Sequence, residues 1–95
     1  MNEPAHAVAA LLTTADNFAV VQLPRRRFPG VVFQGDSLST FCSDAVDAQD
    51  AAVGTKAYEE IADLRRRLDE VMRSYLPALA EHGIDPPFSY RPSGE

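Results

Sequence analysis

What the chain has little of sets the first limits. It carries a single cysteine, Cys42, in 95 residues, so no internal disulfide can form and a reducing cytoplasm is the expected setting. Its two histidines, His6 and His82, are too isolated in sequence to read as metal ligands or as the base of a catalytic pair. No apolar run approaches the roughly 20 residues that span a bilayer, and the first twenty residues lack the basic start and long apolar core of a signal peptide. Bases are also short: nine lysines and arginines stand against fourteen acids, for a net charge of −5 and a pI near 4.9. That balance argues against nucleic acid or an anionic membrane as partner and favours a basic one.

What is present describes a folded protein. An apolar fraction of 45% with 8% aromatics is that of a globular chain, and this length supports one domain with one core. The expected organisation is a flexible N-terminus over residues 1–6, one α+β domain over 7–84, and a proline-rich tail over 85–95. Phe88 and Tyr90 are the tail's two candidates for packing back onto the body.

The spacing of apolar residues predicts the elements. Ala7 to Thr13 is open between helix, favoured by its alanines and leucines, and strand, favoured by its length; strand is the reading adopted. Phe18 to Leu23 is a strand with Phe18, Val20 and Gln22 on one face and Ala19, Val21 and Leu23 on the other. Pro24 ends it, Pro29-Gly30 supplies a turn, and Val31 to Gln34 is the next strand. A helix follows from about Ser37 to between Ala48 and Val53, capped by Asp36 or Ser37, with a three-four apolar rhythm that falters only at Gln49. After Gly54, with Thr55 as cap, a second helix carries the stripe Ala57, Ile61, Leu64, Leu68, Val71, Tyr75 and Ala78, widened by Tyr58, Met72 and Leu79. Charge pairs Arg65–Asp69, Arg66–Glu70 and Asp63–Arg67 fall on its exposed side. Pro77 should bend the last turn, and Gly83 with Ile84 fits a Schellman-type end. The predicted fold is thus α+β: an antiparallel three-stranded meander followed by an αα-hairpin packed on one face.

Chemistry-bearing stretches are few. Gly35-Asp36-Ser37-Leu38 spells the block that names the GDSL hydrolases, in the strand-turn-helix setting where those enzymes carry their serine. That resemblance implies Ser37 as nucleophile and Gly35 in an oxyanion hole. The partner blocks are missing: both asparagines, Asn2 and Asn17, precede the serine, and Leu79 occupies the position three before His82. Without a base the hydroxyl stays a weak nucleophile, so helix capping by Asp36 or Ser37 is the reading preferred. Arg25, Arg26 and Arg27 concentrate positive charge at a turn and form a candidate anion- or partner-binding site, weighed against plain solvated arginines. Asp44, Asp47 and Asp50 form a candidate acidic partner face on the first helix. Carboxylates at that spacing with no nearby histidine make no metal site, and nothing calls for a cofactor. Cys42, among apolar neighbours, reads as core.

The succession from Leu23-Pro24 through the arginines, Phe28-Pro29-Gly30, an apolar strand and Gln34-Gly35-Asp36-Ser37-Leu38 resembles a family of small bacterial proteins of unknown function, common in actinobacteria. The resemblance covers about Val8 to Ile84; it supports the layout of strands followed by two helices and carries no activity. The functional expectation is a non-catalytic cytoplasmic binding or regulatory module, of which a protective partner for a basic protein is one version. The alternatives are a small hydrolase using Ser37 and a module that self-associates through the second helix.

Overall fold

Alternating β-branched and aromatic residues build the central strand of the sheet. In the computed structural model, which describes residues 8–14 and 16–90, strand β2 spans Phe18–Gln22. It lies between β1 (Ala10–Leu11) and β3 (Gly30–Phe33) in the order β1-β2-β3. Both pairings are antiparallel, with Leu11 opposite Val21 and Phe18 opposite Phe33. The stretch that sequence left open between helix and strand is therefore a strand, short but extended by a bond from the Leu12 amide to the Val20 carbonyl at 2.8 Å. Alternation along β2 holds: Ala19 and Val21 are buried while Phe18 is exposed. The expected flexible stretch 1–6, with His6, lies outside the described residues, as do the last five residues of the tail.

The β2–β3 connection differs from expectation. The turn forms at Pro24-Arg25, where the Arg26 amide bonds the Leu23 carbonyl at 3.4 Å, and Gly30 is already the first residue of β3, opposite Val21. Pro24 has the fixed φ that the first central position of such a turn wants, and Arg25 takes the second with φ 65°, where glycine is normally favoured. The Gln22 amide group bonds the carbonyls of Leu23 and Arg26 at 3.2 and 2.7 Å, which holds the turn in this conformation.

Helix α1 (Gly35–Ala51) begins two residues earlier than its rhythm suggested. Gln34 is the N-cap, in extended conformation and without a side-chain capping bond. Asp36 and Ser37, expected as the cap, sit inside the first turn. There Asp36 Oδ1 accepts the Ser37 amide at 2.9 Å, satisfying one amide that the helix start leaves open, and its charge suits the positive end of the helix.

Helix α2 (Tyr58–Glu81) runs through Pro77. Thr55 does not cap it; Ala57 holds that position, and the Thr55 hydroxyl instead donates back to the Ala52 carbonyl at 2.7 Å. At the far end Ile84 bonds the Leu79 carbonyl and Gly83 bonds that of Ala80, with Gly83 at φ 69°. These are the two bonds of a Schellman motif.

The helices pack on each other around Leu38, Cys42 and Met72, with Leu68, Tyr75 and Leu76 against them. Gln49, where the rhythm faltered, works inside this interface: its amide nitrogen bonds the Tyr58 hydroxyl at 3.2 Å and its oxygen accepts from Arg65 at 2.8 Å. At the corner where β3 enters α1, Phe33 meets Phe41 edge-on with ring centroids 5.3 Å apart. The next residue but one, Gly35, lies so close to Tyr75 of α2 that a Cβ there would overlap the hydroxyl and the ring carbon bearing it. Changing Gly35→Ala should therefore push Tyr75 from its seat and destabilise the fold by about 1–3 kcal/mol, read as a lowered denaturation midpoint with unchanged helix content in the native baseline.

Candidate functional site

The face that α2 turns inward is rotated from the one its leucines and valines suggested. Ala62, Asp69 and Met72 are its buried residues, while Leu64 and Val71 are 54% and 53% exposed. Asp69 falls on the inner line, seven residues after Ala62 and three before Met72, where an apolar residue is the normal occupant. It is 1% exposed, not part of a solvated charge ladder. On the outer side Arg66 pairs with Asp63, in place of the pairs expected for Arg66 with Glu70 and Asp63 with Arg67.

A buried carboxylate must find donors or destabilise the fold by several kcal/mol. One donor comes from the tail: the Tyr90 hydroxyl donates to Asp69 Oδ1. Two residues earlier, Phe88 stacks on Tyr75 at 6.5 Å with the rings 14° apart. The described part of the proline-rich tail is thus a strap across the helical hairpin, and the folded body extends past Ile84 to Tyr90. Burial pushes the Tyr90 hydroxyl well above its ordinary range, and the bond to Asp69 and its charge push the same way.

Between strap and helices lies a pocket of about 250 Å³ lined by Ser39, Cys42, Ser43, Val46, Asp69, Ser89 and Tyr90. Ser39, Cys42, Ser43 and Val46 recur at the three-four spacing of one face of α1. Cys42 is 5% exposed; burial raises its thiol above the usual range, Asp69 adds to this, and Arg65 opposes it. A thiol so held stays protonated and is a poor nucleophile, in keeping with a core role.

The other predicted residues lie apart from this pocket. Asp44, Asp47 and Asp50 are all exposed along α1, and none enters an ion pair among the described residues. Among those residues no three histidine, cysteine or acidic side chains converge on a metal-sized space. Ser37 is half-buried in the first turn of α1, and no histidine among the described residues bonds it. Gly35, which the hydrolase resemblance would place in an oxyanion hole, is accounted for by the approach of Tyr75. His82 is the C-cap of α2.

Arg25, Arg26 and Arg27 are exposed at the β2–β3 turn. Arg26 and Arg27 line a second pocket, about 390 Å³, with Leu23, Phe28, Pro29 and Gly30, and the Arg27 guanidinium sits 5.2 Å from the centre of the Phe28 ring. Beside this turn the sheet presents an apolar face. The register places Leu12, Val20 and Val31 in one row and Phe18 and Phe33 in the next. Leu12, Phe18, Val31 and Phe33 are between 48% and 55% exposed. Together with Phe41 they offer on the order of 400 Å² of apolar surface, comparable to the largest patch that an ordinary monomer exposes.

Removing the Tyr90 hydroxyl tests the strap. Tyr90→Phe leaves Asp69 with one donor fewer and should cost about 1–3 kcal/mol at neutral pH. The pH dependence has a fixed sign. Above about pH 10 an unfolded tyrosine releases its proton while Tyr90 in the fold retains it, so stability falls with rising pH from there upward. The Tyr90→Phe variant should lose this Tyr90 contribution to the alkaline decline, measured by denaturant titration at a series of pH values.

None of the helices described is long and apolar enough to cross a membrane. No curated protein and no solved structure matches the chain. Residues 5–88 match a family of unknown function, DUF6959; the match runs from before β1 into the strap, and the chain belongs to that family.

Proposed function

We propose that this chain is a non-catalytic protein-binding module of the bacterial cytoplasm that engages its partner through the open face of the sheet and the adjoining arginine turn. The observation that carries the reading is the pair of adjoining rows in which Leu12, Phe18, Val31 and Phe33 stand half-exposed on one side of the sheet. A small fold that leaves this much apolar surface in water gains by covering it. The basic turn at its border adds direction, since guanidinium groups can hold carboxylates at the rim of such a contact while the rings supply the buried centre. A buried, protonated Cys42 suits a reducing compartment. The exposed acids Asp44, Asp47 and Asp50 of α1, without an ion pair among the described residues, and the net charge of −5 support a basic partner and hence the protective version of the role, because long-range attraction speeds encounter with a cationic protein.

The test is affinity capture from lysate of the native source with three baits: the unaltered chain, Phe18→Ser with Val31→Ser, and Asp44→Asn with Asp47→Asn and Asp50→Asn. All substituted side chains are exposed, so circular dichroism should report an intact fold in each. A specific partner should be retained by the first bait and lost by the second, with the third weakening capture mainly at low salt. Equal capture by the first two baits would remove the sheet face from the proposal.

A further inference from the structure

The backbone edge of β3 raises a question separate from the face of the sheet. Gln34 donates to the Asn17 carbonyl, so by antiparallel alternation Val32 and Gly30 also address β2, and Val31 and Phe33 turn their amides and carbonyls to the open side. Side chains leave that edge uncovered on both faces: Val31, Val32 and Phe33 are 54%, 48% and 48% exposed, and a Cβ built on Gly30 would meet no atom within 4 Å. Open edges are ordinarily protected by charges, bulges or a proline within the strand. Gly30–Phe33 has none of these; Pro29 stands just before it.

We infer that β3 pairs antiparallel with β3 of a second copy of this chain, across a two-fold axis at Val32. The outward groups set that register: Val31 exchanges hydrogen bonds with Phe33 of the other copy, Phe33 with Val31, and Val32 faces its own equivalent. Two three-stranded sheets become one of six strands. Valine and phenylalanine then sit as cross-strand pairs, a favourable combination on a pleated surface. A second copy fits better than an unrelated strand because the two ends of β3 are unlike. Arg25, Arg26 and Arg27 precede it and Asp36 follows it. Antiparallel pairing brings the arginine turn of one copy toward the start of α1 in the other, where Asp36 lies in the first turn, and symmetry repeats the approach at the opposite end. This opposes the repulsion between two chains that each carry −5. Phe28, at 72% exposure, is drawn into the contact. With Phe33 and the two valines the apolar area is on the order of 400 Å² per copy, a small interface that dissociates on dilution. The inference goes beyond the partner proposed above, since it uses the backbone edge of the sheet; Val31 and Phe33 border both surfaces, while Leu12 and Phe18 belong to the face alone.

Light scattering on the full chain over a concentration series should show a monomer passing to a dimer. Val32→Lys sets two like charges face to face at the axis and should hold the protein monomeric where the unaltered chain is dimeric, with the same circular dichroism. Leu64→Ser with Val71→Ser, on the exposed flank of α2, should leave the dimer in place. Val32→Cys gives a register-specific readout independent of fold stability: directly opposed cysteines lie within disulfide reach, so mild oxidant should produce a covalent dimer, and Val31→Cys should not. A chain that stays monomeric up to about 1 mM, a Val32→Lys variant that dimerises as before, or a dimer lost in the α2 variant would each overturn the inference. Repeating the capture experiment with Val32→Lys separates the two proposals, because a partner held through the face survives loss of the dimer.

Discussion

The hydrogen bond between Tyr90 and Asp69 is the constraint on which the rest of the structure depends. Asp69 is the buried charged residue among those described, in the wall of the pocket between strap and helices, and a carboxylate there is tolerable only while donors surround it. Supplying one from Tyr90 fixes the tail against α2, which lays Phe88 on Tyr75. Tyr75 in turn occupies the space that Gly35 leaves at the start of α1. One polar contact thereby ties the strap, through Phe88 and Tyr75, to the corner where sheet becomes helix. The same burial keeps the Cys42 thiol protonated and unreactive.

This arrangement concentrates packing in the hairpin and leaves the sheet comparatively bare. The core cluster is Leu38, Cys42 and Met72 with the residues around them, whereas in the sheet only Ala19 and Val21 are buried among the described residues. A short chain has too little apolar material to enclose everything it carries. Here the side chains left outside are those of β3 and the outer face of β2, next to a turn held by Gln22 with Arg25 at positive φ. The helical hairpin is thus the packed part of the described structure, and the sheet beside it keeps its apolar side chains half exposed.

Features governed by neighbours in sequence were legible in it. The alternation of Phe18 to Gln22, the rhythm of α1, Cys42 as core and the Schellman end at Gly83 all follow from local periodicity and from the freedom of glycine at positive φ. What escaped depends on partners far along the chain. Asp69 looked like a surface charge because the tyrosine that satisfies it lies 21 residues away, and with Asp69 inside, the inner face of α2 turns away from Leu64 and Val71. Its spacing from Ala62 and Met72 was the available signal. The hydrolase resemblance around Gly35 fails in the sequence itself, for want of its partner blocks, but the reason for a glycine there, the approach of Tyr75, is visible only in the fold. The turn was placed at Pro29-Gly30 because the usual residues stand there, whereas Gln22 stabilises an arginine in the position glycine would normally take. The candidate arginine turn was visible as a charge cluster, but the apolar face beside it emerged only from the register of the three strands.

The most direct measurement is a double-mutant cycle on the strap, comparing the unaltered chain with Asp69→Asn, Tyr90→Phe and the two together by denaturant unfolding at neutral pH. If the Tyr90 hydroxyl and the Asp69 carboxylate support each other, the two losses will not add, and the coupling will exceed about 1 kcal/mol. Losses that add to within about 0.3 kcal/mol would mean that the two groups act independently, and that the tail is held to the helices by something other than this bond.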